Sequence, residues 1–363
     1  MEAELLYQRG LPPQVRYVFK HALVQDTAYQ SLLKSTRQHY HNQIAQVLTE
    51  QFAETIETQP ELVAHHYTEA GLSEGAIPYW QRAGERAVQL PAYAEAVRFY
   101  RLALQALERQ EPVDERQRSA LLLALGKAQW KAGEYLAAQE TLLGAATVAR
   151  SLGRTDLFSR AALLLSRLTE QVSQSAVPVV RLLEEALQGV GEEDSLLKAK
   201  ILGGLARALG TTADQHQALV YAQQAVDMGR RFADLELLAD NIQGMLHALQ
   251  GPEHTQQRLV YASEMLQLAD TACAKDLSIY ALFWHVYCLT ELGNMSAADA
   301  AIDVHARLAE EMRQPFHLWM DVGFRAMRAL MQGRFADSER LAQEALAIGQ
   351  RLQTDTAAGM FGL

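Results

Sequence analysis

Along most of the chain apolar residues recur at three- and four-residue intervals, the period of one face of an α-helix, and strand-like patterning is confined to the start. Two short apolar runs, Glu4 to Gln8 and Val15 to Phe19, flank the Gly/Pro segment Arg9 to Gln14 and predict a β-hairpin. Helical spacing follows at Ile44, Val47, Leu48 and Phe52. Thr58 and Glu61 have capping-box spacing with Pro60 in the first turn, which predicts a helix start near residue 59.

From residue 77 the pattern repeats. Trp80, Ala83, Gly84 and Ala87 are followed by Ala96, Tyr100 and Ala103, then Leu122, Leu125 and Gly126 by Gly133, Tyr135, Ala138, Leu142 and Ala145. A large residue, a small pair, a turn glycine and small residues on the second helix are the tetratricopeptide arrangement, in which small side chains let paired helices approach. Carried forward, the frame places units at about 77, 119, 159, 199, 239, 279 and 319, a period of about 40. Pro112, Pro178, Pro252 and Pro315 fall between helices or at their starts, where a missing N–H costs nothing. The predicted fold is all-α: a right-handed α-solenoid of tetratricopeptide-like helix pairs preceded by a short hairpin. The last ten residues, from Thr354, begin another first helix and stop, so the chain is expected to be a fragment. The apolar face of Leu341, Ala345, Ile348 and Leu352 is then expected to lack its next helix.

Composition agrees with a folded chain: of 363 residues 49% are hydrophobic and 21% charged, with 9 prolines. Cys273 and Cys288 allow no disulfide framework and lack zinc-site spacing, which predicts two inert, buried thiols in a cytoplasmic protein. No run of 18 apolar residues occurs, so no membrane partner is expected. The net charge of −10, without a long basic tract, argues against nucleic acid.

Phosphate-binding glycine loops, nucleophile elbows, metalloprotease helices and calcium loops are all missing from the sequence, which predicts a non-enzyme with no cofactor. The pairs His39/His41 and His65/His66 have spacings that send their rings to different sides of a helix, so they predict packing or surface roles and no metal. Trp80, Trp130, Trp284 and Trp319 are expected to pack between helices. Positions 2, 5, 9 and 12 of each first helix should face a concave groove. They include Lys127, Trp130, Arg160, Arg167, Lys200, Arg207 and His247, and then Tyr280, Phe283 and Tyr287, with Glu170 and Asp240 among them. Five cations followed by three aromatics suit an acidic, extended protein or peptide segment. A one-residue shift of the frame would redistribute these side chains.

Residues Tyr17 to Arg37, Gln59 to Gly71 and Ala76 to Trp80 resemble a bacterial family of large signalling proteins. In that family a class III adenylate/guanylate cyclase domain precedes a STAND-type ATPase, a winged helix and a tetratricopeptide region. The resemblance covers residues 1–110 closely and the remainder only in architecture. It implies three segments: 1–56 as the tail of the winged helix and connecting helices, 57–110 as a connector and first repeat, and 111–363 as the solenoid. Within Phe19-Lys-His-Ala-Leu-Val-Gln-Asp26, His21 occupies the place of the family's nucleotide-sensing histidine, although Ala22 stands where an aspartate is expected. The resemblance implies a non-catalytic sensor module whose partners include upstream ATPase and cyclase domains. The other reading is a freestanding scaffold that gathers partners.

Overall fold

The computed structural model describes residues 6–9, 15–172, 175–210, 212 and 214–352, and these residues form two compact units. The expected helix at residues 354–363 lies outside the described residues. One unit takes the chain up to Glu85 together with Arg101–Val113; the other takes Arg86–Tyr100 and Asp114 onward.

The first unit opens with the hairpin. Strands β1 (Leu6–Arg9) and β2 (Arg16–Phe19) pair antiparallel with Leu6 opposite Phe19 and Arg9 opposite Arg16. Helices α1 (Ala22–Ser31), α2 (Lys34–Gln51), α3 (Ala53–Thr58) and α4 (Pro60–Glu69) follow. The capping box does not form. Thr58 closes α3 by donating its hydroxyl to the Glu54 carbonyl at 2.7 Å, and Gln59, with no side-chain cap, precedes Pro60. A threonine that can reach the carbonyl four residues back spends its hydroxyl there, leaving none for the next helix. Helices α5 (Ser73–Gln89) and α6 (Tyr93–Leu107) come next, and Arg86–Tyr100 of them count with the second unit. Trp80 is buried and donates its indole N–H to the Thr68 hydroxyl at 2.9 Å.

The second unit is the solenoid. Its first helices are α7 (Glu115–Ala132), α9 (Thr155–Val172), α11 (Leu196–Gly210), α13 (Leu235–Ala248), α15 (Lys275–Glu291) and α17 (Pro315–Met331). They alternate with α8 (Tyr135–Ser151), α10 (Val177–Gly189), α12 (Gln215–Phe232), α14 (Thr255–Thr271), α16 (Met295–Met312) and α18 (Phe335–Arg351). Each first helix starts three or four residues before its frame point in the sequence, and the step of about 40 is kept. The second helices bury small residues at helical spacing, Ala138, Leu142, Ala145 and Ala149 in α8 and Ala218, Ala222 and Ala225 in α12. Asp114, Asp234 and Asn294 cap α7, α13 and α16 by accepting backbone N–H bonds three residues on.

Glycine was an incomplete marker of the turns. The connections after α12, α14 and α16 pass through Ala233, Cys273 and Arg313 at φ of 53°, 54° and 51°. Cys273 is therefore exposed at a turn, not buried as expected, whereas Cys288 is buried and its thiol is pushed up to about 11 by desolvation. Where glycine does occur at the α7–α8 turn, two demands meet. Gly133 has φ +84°, and a Cβ there would lie 2.8 Å from Cδ2 of Leu352. Leu352 is buried in one cluster with Trp130, Tyr135, Trp319 and Phe324, against which Ala345 and Ile348 pack. The apolar face of α18 is thus covered in part by residues from the beginning of the same unit.

Close approach is most extreme between α11 and α13. A Cβ on Gly244 would sit 2.7 Å from the Gly203 carbonyl oxygen and 3.2 Å from the Ala206 Cβ. Because the obstacle is backbone, Gly244→Val is expected to force the helices apart and cost about 3 kcal/mol in urea unfolding. A midpoint equal to that of the parent protein would show that the pair can separate freely.

Among the described residues no helix is long and apolar enough to cross a membrane.

Candidate functional site

The first helices α7, α9, α11, α13 and α15 pack side by side in chain order and form the inner wall of the second unit. That wall encloses a cavity of about 780 Å³, within the size range of sites that take small ligands. Lys127, Trp130 and Lys131 enter it from α7, Arg160, Leu163, Leu164 and Arg167 from α9, and Lys200 from α11. Asp234, Glu236 and Asp240 enter from the start of α13, and Lys275 and Asp276 from the start of α15.

An ion pair spanning 145 residues of sequence joins two of these walls. Lys131 donates to Asp276 at 2.7 Å, and Gln314 donates its amide N–H to the other Asp276 oxygen at 3.0 Å. Burial alone would raise the Asp276 carboxyl, but Lys131, Gln314 and Lys127 hold it below the usual carboxylate range. Lys131 also lies 5.8 Å from the Tyr93 ring centroid. Lys275 pairs with Glu311, and Arg167 pairs with Asp240.

Five residues expected in the groove line this cavity: Lys127, Trp130, Arg160, Arg167 and Lys200. Among the described residues no carboxylate lies within 4 Å of the Lys127, Arg160 or Lys200 cations. The Lys127 ammonium is held below the usual lysine range, first by desolvation and then by Lys131, Arg167 and Arg160, with Asp276 opposing. A site that disfavours its own lysine charge is one where an incoming anion gains most. The other five residues do not line it. Arg207 is buried at 1% exposure, with one guanidinium nitrogen 3.4 Å from both Asp240 and Gln243. The close α11–α13 packing leaves its side chain sandwiched between helices. His247 is half-buried, edge-on to Trp284 at 5.2 Å. Tyr280 packs on His317, and Phe283 lies between Tyr287 and Phe324. Tyr287 is half-exposed beside the Arg258 guanidinium, 5.4 Å from its ring. On α15 the cavity is reached only from the first turn, so these aromatics, one or more turns later, are spent on helix packing. The side chain of Glu170 lies outside the described residues.

Lys131, Asp276, Glu236 and Tyr93 were missed by the sequence reading. Lys131 follows Lys127 by one helical turn, so its place on the same face was legible. Nothing local marks Asp276, because its partner comes from a helix far away in the chain.

In the first unit a side-chain chain links three helices. The Tyr29 hydroxyl lies 2.9 Å from Nε2 of His41, and His41 Nδ1 lies 2.8 Å from His66 Nδ1. Two facing ring nitrogens at this distance share one proton, and desolvation holds both rings below the usual imidazole range. Desolvation, then the charges of His41 and His65, bring His66 down to about 4. Among the described residues no group of three metal-ligating side chains converges. His21 precedes α1 as an exposed residue whose carbonyl accepts the Val24 and Gln25 N–H groups, and its ring makes no cap bond.

No protein-family model matches the chain. An uncharacterized protein of Rhizobium meliloti (strain 1021) is 29% identical over 103 residues, which is 28% of this chain and 10% of that protein. The chain thus matches about a tenth of that relative's length. Two solved structures share the fold. A Rap protein complexed with competence and sporulation factor has a TM-score of 0.60 and 10% identity, over 91% of this chain and 98% of its own. The Rap conjugation gene regulator of the plasmid pLS20, in complex with the Phr* peptide, has a TM-score of 0.54 and 13% identity, over 88% of this chain and 96% of its own. The chain is a tetratricopeptide-like helical repeat protein.

Proposed function

We propose that the second unit is a non-catalytic sensor that takes an acidic peptide or protein segment into its inner cavity, as part of a bacterial STAND ATPase–cyclase signalling protein. The observation that carries the reading is the trio Lys127, Arg160 and Lys200, three cations with no carboxylate within 4 Å among the described residues, facing one cavity beside Trp130, Leu163 and Leu164. Cations not closed into contact ion pairs in a walled site leave part of their attraction available to a ligand. The two Rap proteins of the same fold hold a factor or a peptide, which supports a peptide here. The signalling context rests on the resemblance of residues 17–37, 59–71 and 76–80. On this reading the upstream ATPase is the partner that responds to occupancy, and His21 is the residue offered to its nucleotide.

A glutamate-rich hexapeptide labelled with fluorescein is expected to bind the purified chain, with affinity falling as salt rises. Arg160→Glu combined with Lys200→Glu should weaken binding at least tenfold, about 1.4 kcal/mol, with the helical circular dichroism unchanged. Equal binding by parent and variant would overturn the assignment of the site.

A further inference from the structure

The start of α15 brings both signs into the cavity, Lys275 and Asp276, but on the other four first helices the charges are sorted. Among the described lining residues, α7, α9 and α11 contribute only cations, while the start of α13 contributes only carboxylates, Asp234, Glu236 and Asp240. Their availability differs. Asp240 is engaged by Arg167 and Arg207, and one Asp234 oxygen caps α13 by accepting the Leu237 N–H at 2.9 Å. Glu236 is exposed, and among the described residues it has no cation within 4 Å. A long polyanion laid across this wall would meet attraction on α9 and α11 and repulsion one helix further on.

The geometry points to a dipolar ligand: a short peptide whose acidic end sits on Lys127, Arg160 and Lys200 and whose amino group or basic side chain sits on Glu236 and Asp234. This rests on the proposed peptide-sensing role and narrows its ligand. Helices α9, α11 and α13 are consecutive neighbours, and Arg167 of α9 already reaches Asp240 of α13 inside the cavity, so a short peptide suffices to touch both charge sets. The cation trio fixes one end and Glu236 the other, so polarity is selected.

Isothermal titration calorimetry on the full chain with two hexapeptides tests this. The first is Lys-Ser-Gly-Ser-Glu-Glu with a free amino end; the second carries glutamine for lysine and an acetylated amino end. The first is expected to bind about tenfold more tightly. Glu236→Gln should remove most of that advantage and leave the acetylated peptide's affinity unchanged, and Glu236→Lys should reverse the preference. Arg160→Glu should weaken both peptides. If both bind equally and both are lost with Arg160→Glu, the sensor reading stands and the dipolar ligand is wrong. An advantage that survives Glu236→Lys also overturns it. If neither peptide binds, the peptide-sensing reading fails with it.

Discussion

Between pH 7 and pH 5 the second unit is expected to lose about 6 kcal/mol of stability, because three histidines are held in it in neutral form. His305 and His317 are 1% and 3% exposed, and His247 is half-buried against Trp284. Desolvation, reinforced by Arg207, brings His247 down to about 3. Desolvation also brings His317 to about 3, with His305 and Lys131 reinforcing it and Asp276 opposing, and it brings His305 to about 4. In the unfolded chain an imidazole titrates near 6.5. Between the two ranges the unfolded state carries the extra protons, so stability rises with pH. The contribution is complete above about pH 6.5 and drains away as pH falls toward the folded values, about 2 kcal/mol for each ring by pH 5. Together this rivals the whole stability of many domains, about 5–15 kcal/mol. Urea midpoints measured at pH 7, 6 and 5 should fall steadily, and His317→Gln or His305→Gln should flatten the slope. A midpoint independent of pH would mean that water reaches these rings.

Asp240→Ala is expected to cost about 3 kcal/mol, since it removes the carboxylate on which two guanidinium groups converge, one of them almost without solvent. Arg207 is 1% exposed and Arg167 19%. Burial by itself would raise the Asp240 carboxyl, but Arg167, then Arg207 and Lys200, outweigh it and hold the group below its usual range. With the charge gone, Arg207 keeps its desolvation cost and loses its compensation. Calorimetry should show the melting temperature falling by about 6–12 °C. Arg207→Met added to Asp240→Asn should recover part of the loss, because an apolar chain of similar length needs no counter-charge. A melting temperature unchanged by Asp240→Ala would show that the guanidinium groups are solvated after all.

The repeat was legible because its causes are local. Small residues where helices cross and prolines at helix starts act within a few residues of their own position, and the recurrence of such residues, Gly126, Ala138 and Ala145 among them, carries the period. The capping box at Thr58 failed although its spacing was right, since the competing acceptor, the Glu54 carbonyl, belonged to a helix whose length the pattern did not define. The turns at Ala233, Cys273 and Arg313 were silent because the left-handed conformation there is imposed by neighbouring helices on residues that do not advertise it. In the candidate site Lys127, Arg160, Arg167 and Lys200 were legible from the frame. Arg207 was not distinguishable from them by spacing, because only the glycine-lined contact of α11 with α13 decides that its side chain is sandwiched.

By itself the sequence determined the helix pairs, their period and the residues that let them approach, all set by periodicity and backbone preference at short range. The tertiary structure decided what the inner wall becomes. It placed Leu352 against Gly133, joined Lys131 to Asp276, gathered cations from three helices and set carboxylates from a fourth beside them. Such contacts depend on the small rotation added at each of several successive units, and no local pattern of residues records their sum.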